Sequence, residues 1–301
     1  MTAGQMKGGR SRGSEALTGR AVSGIVRNSR NQDRTVHNNQ YGEIEMKRRE
    51  FLAAASIAPI AGVSSLAVAD SGGGEQEYLE FRQYHLNVGS KKNLVGNFLK
   101  NVGIPAMNPI GIGPVGVFNT MYGPNSPTLY VLMVHKSLDT VVNSASMLMA
   151  DDEYRKTDFI DTSLSEPGYV RMESSLMVAF KGLPQLLVPE KKPRIFELRT
   201  YESHSIKASK KKIEMFNEGG EIKVFLKTGL QPVFFGETLI GPKMPNLTYM
   251  LVFDDLADRD AKWKVFGGDP EWKKLRSNPE YKDTVSNITD IILRPESYSQ
   301  I

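Results

Sequence analysis

Beyond residue 77 this sequence is one pattern written twice. Glu80-Phe81-Arg82-Gln83-Tyr84 is matched by Glu197-Leu198-Arg199-Thr200-Tyr201 at an offset of 117 residues. Gly111 and Pro114-Val115 are matched by Gly229 and Pro232-Val233 at 118. Leu129 to His135 aligns with Leu247 to Phe253, and Glu153-Tyr154-Arg155-Lys156 with Glu271-Trp272-Lys273-Lys274, both again at 118. Matched blocks at a nearly constant spacing mark a tandem duplication, so whatever one copy folds into, the other must fold into as well.

Each copy reads as β-α-β-β-α-β, the ferredoxin-like order. An alternating strand carrying E-x-R-x-Y comes first. A helix follows, with Leu94, Val95, Phe98, Leu99 and Val102 at helical spacing. Its counterpart runs from about Ser209 to Lys227 and should kink or break at Gly219-Gly220. Short strands are expected around Val115 to Phe118 and Val233 to Phe235, and Gly/Pro turns at Gly123-Pro124 and Gly241-Pro242. Apolar strands (Leu129 to Val134, Leu247 to Phe253) lead to a second helix, and Ser175 to Phe180 or Asp290 to Leu293 closes each unit. Residues 78–181 and 194–298 are therefore the two repeats. The stretch 182–193, with Pro184, Pro189 and Pro193, is a stiff linker that no helix should cross.

The expected fold class is α+β. A four-stranded sheet with both helices on one face leaves the other face bare, and two copies in one chain can bury their bare faces against each other. The result would be a pseudo-dimeric α/β barrel, either as a monomer with an internal pseudo-twofold or, with each copy paired to another chain, as a homodimer.

Side chains alternate across a strand, so Glu197, Arg199 and Tyr201 share one face, and so do Glu80, Arg82 and Tyr84. With Phe196 and Leu198 turned to the helices, the Glu/Arg/Tyr faces are expected to look into the barrel. Carboxylate, guanidinium and phenol there could orient a ligand or move a proton, or form an ion-pair network that sets the register of the two lobes. His85 and His204 stand near the ends of the two first strands. They could ligate haem iron or act as bases, or be ordinary surface histidines. The ligand-binding candidates are thus Glu80, Arg82, Tyr84, His85, Glu197, Arg199, Tyr201 and His204. Trp263, Phe266 and Trp272 read as core, Asp269-Pro270 as a helix start, and His135 as a packing position.

Phe196-Glu197-Leu198-Arg199-Thr200-Tyr201-Glu202, the Trp263-x-x-Phe266 helix and Asp269-Pro270-Glu271-Trp272 together resemble the NIPSNAP family, within the dimeric α/β-barrel superfamily. The likeness covers about Arg194 to Pro295. It is weaker in the first copy, where Ala145 and Leu148 replace Trp263 and Phe266 and Asp151-Asp152-Glu153-Tyr154 replaces the Asp-Pro-Glu-Trp run. The resemblance implies the barrel fold and proteins linked to small ligands, membranes or trafficking, without a settled chemistry. The wider superfamily includes cofactor-free monooxygenases and haem proteins.

Ahead of the repeats, Lys47-Arg48-Arg49-Glu50-Phe51-Leu52 precedes a mild apolar run from Ala53 to Leu66 and then Ala67-Val68-Ala69. A basic region, a short apolar region and an A-x-A site are the parts of an export signal. Arg48 and Arg49 before Phe-Leu resemble a twin-arginine (Tat) signal, cut after Ala69. Residues 46–69 are read as that signal and 70–77 as a flexible lead-in. Residues 1–45, Gly-, Ser- and Arg-rich, are read as disordered and upstream of a start at Met46. The address is bacterial periplasm or exterior, with no stable membrane span in the mature chain.

Charge supports this division. Residues 1–69 hold ten Lys and Arg against five Asp and Glu, so of 38 basic and 34 acidic residues only 28 and 29 lie beyond. The body is close to neutral, and the basic balance argues for no nucleic-acid partner. There is no cysteine, which excludes disulfides, thiolate metal sites and covalent c-type haem. With four histidines in all, no metal site is expected. No cofactor is predicted; haem is the alternative. The functional expectation is an exported protein that binds a small, largely apolar molecule inside the barrel or in a cleft beside it. The alternatives are a cofactor-free or haem-dependent oxygenase acting in that cavity, and a scaffold using helix faces for protein partners.

Overall fold

The computed structural model describes residues 75–89 and 93–301. The twin-arginine segment, its cleavage site, the upstream stretch and most of the lead-in lie outside the described residues. Repeat 1 supplies β1 (Tyr78–His85), α1 (Leu94–Phe98), α2 (Ile104–Met107), β2 (Ile112–Tyr122), β3 (Thr128–His135), α3 (Leu138–Met149), α4 (Asp152–Arg155) and β4 (Arg171–Ala179). Repeat 2 supplies β5 (Ile195–Glu202), α5 (Ile206–Phe216), α6 (Glu221–Lys227), β6 (Gln231–Ile240), β7 (Asn246–Phe253), α7 (Leu256–Gly268), α8 (Pro270–Arg276) and β8 (Asn287–Pro295).

The expected order is present in both halves. The first helix differs between them. In repeat 1 it passes from α1 through a π-helical turn, Leu99–Gly103, into α2. In repeat 2 it breaks where the paired glycines stand, and Gly220 takes φ +88°, a left-handed backbone that a side chain would strain. Ser137, Ser205 and Asp255 cap α3, α5 and α7 through side-chain oxygens, and Asp269 caps α8 with Pro270 at its first position. Each cap contributes about 1 kcal/mol and fixes where a helix starts against its sheet. Among the described residues no helix is long and apolar enough to cross a membrane.

The eight strands close in the order β1-β3-β2-β8-β5-β7-β6-β4, antiparallel throughout. Each repeat alone would be a sheet with two raw edges. Pairing β2 with β8 and β4 with β6 removes all four, so duplication satisfies the backbone as well as the bare faces. The seam strands are longer than the sequence suggests, because pairing across the repeats draws in flanking residues such as Thr120 and Asn119. β3 and β7 are buried on both faces over their whole length, which is why they read as unbroken apolar runs.

One expectation is reversed. Leu79 and Phe81 of β1, and Phe196 and Leu198 of β5, point into the barrel, where they meet Phe118, Tyr130, Met250 and Ile291 from both repeats. Glu80, Arg82, Tyr84, Glu197, Arg199 and Tyr201 therefore lie on the outer side of the sheet, beneath the helices. The sharing of faces is as the alternation implies; the direction is opposite. The centre of a closed barrel is out of reach of water on every side, so it takes the fully apolar set. The helix side can supply indole, guanidinium and hydroxyl partners to a buried carboxylate. Phe118 and Phe196 meet edge to face at 4.9 Å across the middle of the barrel. Ile301 closes one end, with Ser299 and Gln300 bonded along β2 at Val117 and Val115.

Candidate functional site

In repeat 2 the outer wall is locked. Glu197 is fully buried and accepts from Trp263 Nε1 at 2.6 Å on α7 and from Arg199 Nη1 at 3.2 Å. Arg259, one turn before Trp263, also donates to it, and both arginines reach Asp290 on β8. Two carboxylates thus share two guanidiniums. Burial and the neighbouring Glu197 push the Asp290 carboxyl up to about 6, despite the arginines. Tyr201 continues the wall, its hydroxyl 2.8 Å from that of Tyr249. Beyond it Lys212, itself buried, pairs with Glu221 at 2.7 Å beside Phe216, Tyr201 and Trp272. Side chains from α5 to α8, among them Phe216, Phe225, Trp263 and Trp272, pack over this network.

Repeat 1 has the same wall with different cover. Where repeat 2 has Arg259 and Trp263, α3 has Val141 and Ala145. Glu80 is held instead by Arg82 Nε at 2.6 Å, Ser174 Oγ at 2.9 Å and His135 Nε2 at 3.4 Å. Burial alone would raise its carboxyl, but these three outweigh it and hold it at about 2. Arg82 is disfavoured by burial yet kept charged by Tyr84 and Glu80, and burial raises the Tyr84 phenol. His135 is thus a buried packing residue that also contacts Glu80.

From Tyr84 a chain of rings leads to the surface. Tyr169 meets Tyr84 edge to face at 5.2 Å, Phe159 lies 6.1 Å from Tyr169, and Phe98 stacks on Phe159 at 4.3 Å. Phe98 and Phe159 then form part of a cleft of about 400 Å³ with Leu94 and Val102, between the first helix and the segment after α4. Repeat 2 has a cleft of about 660 Å³ in the corresponding place, beside Gly219 and Gly220, which align with Asn101 and Val102. Its lining mixes Lys223, Lys274, Glu218 and Glu271 with Val224, Leu275 and Pro279; Phe159 of repeat 1 corresponds to Ser277 there, and Phe98 to the buried Phe216. The two clefts share a place in the repeat, and only that of repeat 1 is lined by aromatic rings.

The barrel interior holds a cavity of about 150 Å³ at the end opposite Ile301, bordered by both β-hairpins. Large side chains from both repeats fill the rest, so the interior has room for a single-ring molecule and not for a larger one. The histidines are not a matched pair. His204 is exposed on the turn after β5. His85 is buried at the end of β1, 3.5 Å from Glu173, and its counterpart at the repeat spacing is Glu202. Of the eight candidates the structure joins Glu80, Arg82 and Tyr84 in one wall and Glu197, Arg199 and Tyr201 in another. Sequence reasoning missed the Phe98–Phe159 cleft, because the two rings stand 61 residues apart and only the fold stacks them. Among the described residues no group of three or more His, Asp or Glu is placed to hold a metal ion.

A family model described as NIPSNAP matches residues 79–184 and again 196–300. A Fusobacterium nucleatum protein provisionally named a monooxygenase shares 10% identity, with a TM-score of 0.50 over 73% of this chain and 93% of its own. An uncharacterised NIPSNAP-like domain protein from Burkholderia xenovorans is 23% identical over 36% of this chain and 89% of its own, TM-score 0.32. A NIPSNAP family protein from Agrobacterium tumefaciens is 20% identical over 38% and 96%, TM-score 0.32. The last two are one repeat long. No curated protein matches.

Proposed function

The chain belongs to the NIPSNAP family, and from that premise we propose that it is an exported binding protein for a small, largely apolar molecule, held in the outer cleft of repeat 1. The observation that carries this reading is the asymmetry of the two clefts. The same groove is present twice, but only in repeat 1 do stacked rings, Phe98 and Phe159, line it. A volume of about 400 Å³ lies within the usual range for small-ligand sites, which combine an apolar lining with a few polar groups. Asn97, Asn101 and Thr157, with the carboxylates of Asp158 and Glu166, supply those groups. Tyr84, Arg82 and Glu80 act as the rigid wall behind the rings and position them.

No resident cofactor enters this reading. Haem would need an axial ligand facing a cavity, and none of His85, His135 or His204 lines either cleft. Export through the twin-arginine route rests on Arg48, Arg49, Ala67 and Ala69.

The test is binding of an apolar fluorescent probe, 1-anilinonaphthalene-8-sulfonate, to the exported chain, with native mass spectrometry for a co-purified ligand. Phe159→Asp should abolish probe binding and leave the circular dichroism unchanged. Equal binding by wild type and Phe159→Asp would overturn the assignment. Retention of a fused reporter in the cytoplasm, unaffected by Arg48→Lys with Arg49→Lys, would overturn export.

A further inference from the structure

The cavity at the barrel end has a composition unlike the rest of the interior. Its floor is Phe81, Tyr130, Met177, Leu198 and Ile291. Its wall is polar and comes from both repeats: Gln83, Ser175 and the Arg171-paired Glu173 on one side, Thr200, Thr238, Asn246, Thr248 and Thr289 on the other. The tips of the two β-hairpins border it, Pro124-Asn125 and Pro242-Lys243. Asn125 and Lys243 are 118 residues apart and occupy the same place in each repeat. Both are left-handed, with φ +59° and +61°. Asparagine tolerates that backbone; lysine gains nothing from it, so an ammonium there is held against a local preference.

The charges at this mouth are unevenly matched. Glu173 has Arg171 at 2.8 Å and His85 at 3.5 Å. Glu202 accepts from Asn287 at 2.8 Å. Lys243 donates to the Thr289 hydroxyl at 3.0 Å, and its nearest carboxylate oxygen, on Glu202, is 3.9 Å away. The ammonium is thus anchored to the cavity wall without a close ion pair. Among the described residues Ser175 and Gln83 make no side-chain hydrogen bond, although Thr200 pairs with Thr248 and Thr238 with Asn246.

From this we infer that the barrel mouth is a second binding site, for a single-ring aromatic acid whose ring rests on the apolar floor and whose carboxylate meets Lys243 and the Ser175 hydroxyl. Size sets the ring count: a cavity of about 150 Å³ accommodates one benzene. Lys243 sets the charge, because an ammonium facing a partly enclosed carboxylate makes a stronger bond than a neutral donor. The site needs both repeats, since neither forms the floor or the rim alone.

The test is calorimetric titration of the full chain with benzoate, and with benzyl alcohol as its uncharged relative. Benzoate should bind at least about tenfold more tightly, the effect of one charge-assisted hydrogen bond. Lys243→Gln should erase that preference while benzyl alcohol binds as before, and Thr289→Val, which removes the lysine's anchor without changing volume, should reduce it. Phe159→Asp, in the outer cleft, should leave benzoate affinity unchanged, so failure here and failure of the cleft assignment are separable. Absence of benzoate binding at about 10 mM, far weaker than a millimolar site, would overturn the inference. So would a preference that survives Lys243→Gln, or benzoate binding lost in Phe159→Asp.

Discussion

Replacing Phe118 and Phe196 by leucine, singly and together, measures whether the two repeats hold each other's inner faces. Both rings are fully buried, and they meet edge to face with centroids 4.9 Å apart and planes at 66°, one from each repeat. Each single change keeps an apolar side chain and should cost about 1–2 kcal/mol. Edge-to-face pairs in this range contribute about 0.5–1.5 kcal/mol beyond burial, and that is the coupling the double variant should recover. Urea unfolding read by two signals is the assay. The chain's two tryptophans, Trp263 and Trp272, are both in repeat 2, so their fluorescence reports that half, whereas far-ultraviolet circular dichroism reports both. A barrel shared by the repeats should unfold with the two signals superimposed. A coupling within about 0.3 kcal/mol of zero, below what such a cycle resolves, or separate transitions, would refute the reasoning.

Three further outcomes follow from the walls beneath the helices. Lys212→Met should cost about 3–5 kcal/mol in thermal or urea unfolding by stranding the buried Glu221 carboxylate, and adding Glu221→Leu should restore most of it. Asp290, raised to about 6 in the fold from 3.8, favours the folded state at low pH, and that contribution is lost as pH rises from about 4 through 6. Asp290→Asn should therefore raise the melting temperature at pH 8, change it little at pH 3.5, and flatten the profile between. Glu80, held at about 2 from 4.5, works the other way: its contribution is present above pH 4.5 and lost as pH falls towards 2. Glu80→Gln should destabilise at pH 7 and matter less at pH 2.5, as scanning calorimetry would show.

Much of the architecture was legible in the residues. The repeat spacing of 117 to 118, the E-x-R-x-Y alternation and the apolar runs of β3 and β7 were sufficient for two βαββαβ units and a barrel made from them. The break at Gly219-Gly220 and the Asp269-Pro270 helix start were local events with local causes, and both stand where expected. Alternation is a property of the strand itself, so which residues share a face could be read directly.

Which face turns inward could not, because that depends on what the rest of the chain offers to each side. Glu197 faces outward since Trp263 and Arg259 are there to receive it, from a helix more than sixty residues further along. The same dependence moved the site. The interior keeps a cavity of about 150 Å³, while the stacking of Phe98 on Phe159 gives the outer cleft of repeat 1 its aromatic lining. Sequence by itself determined the units and their number, through local pattern and repetition. Tertiary structure alone decided their inner and outer sides, because burying a charge depends on partners that only the closed fold brings near.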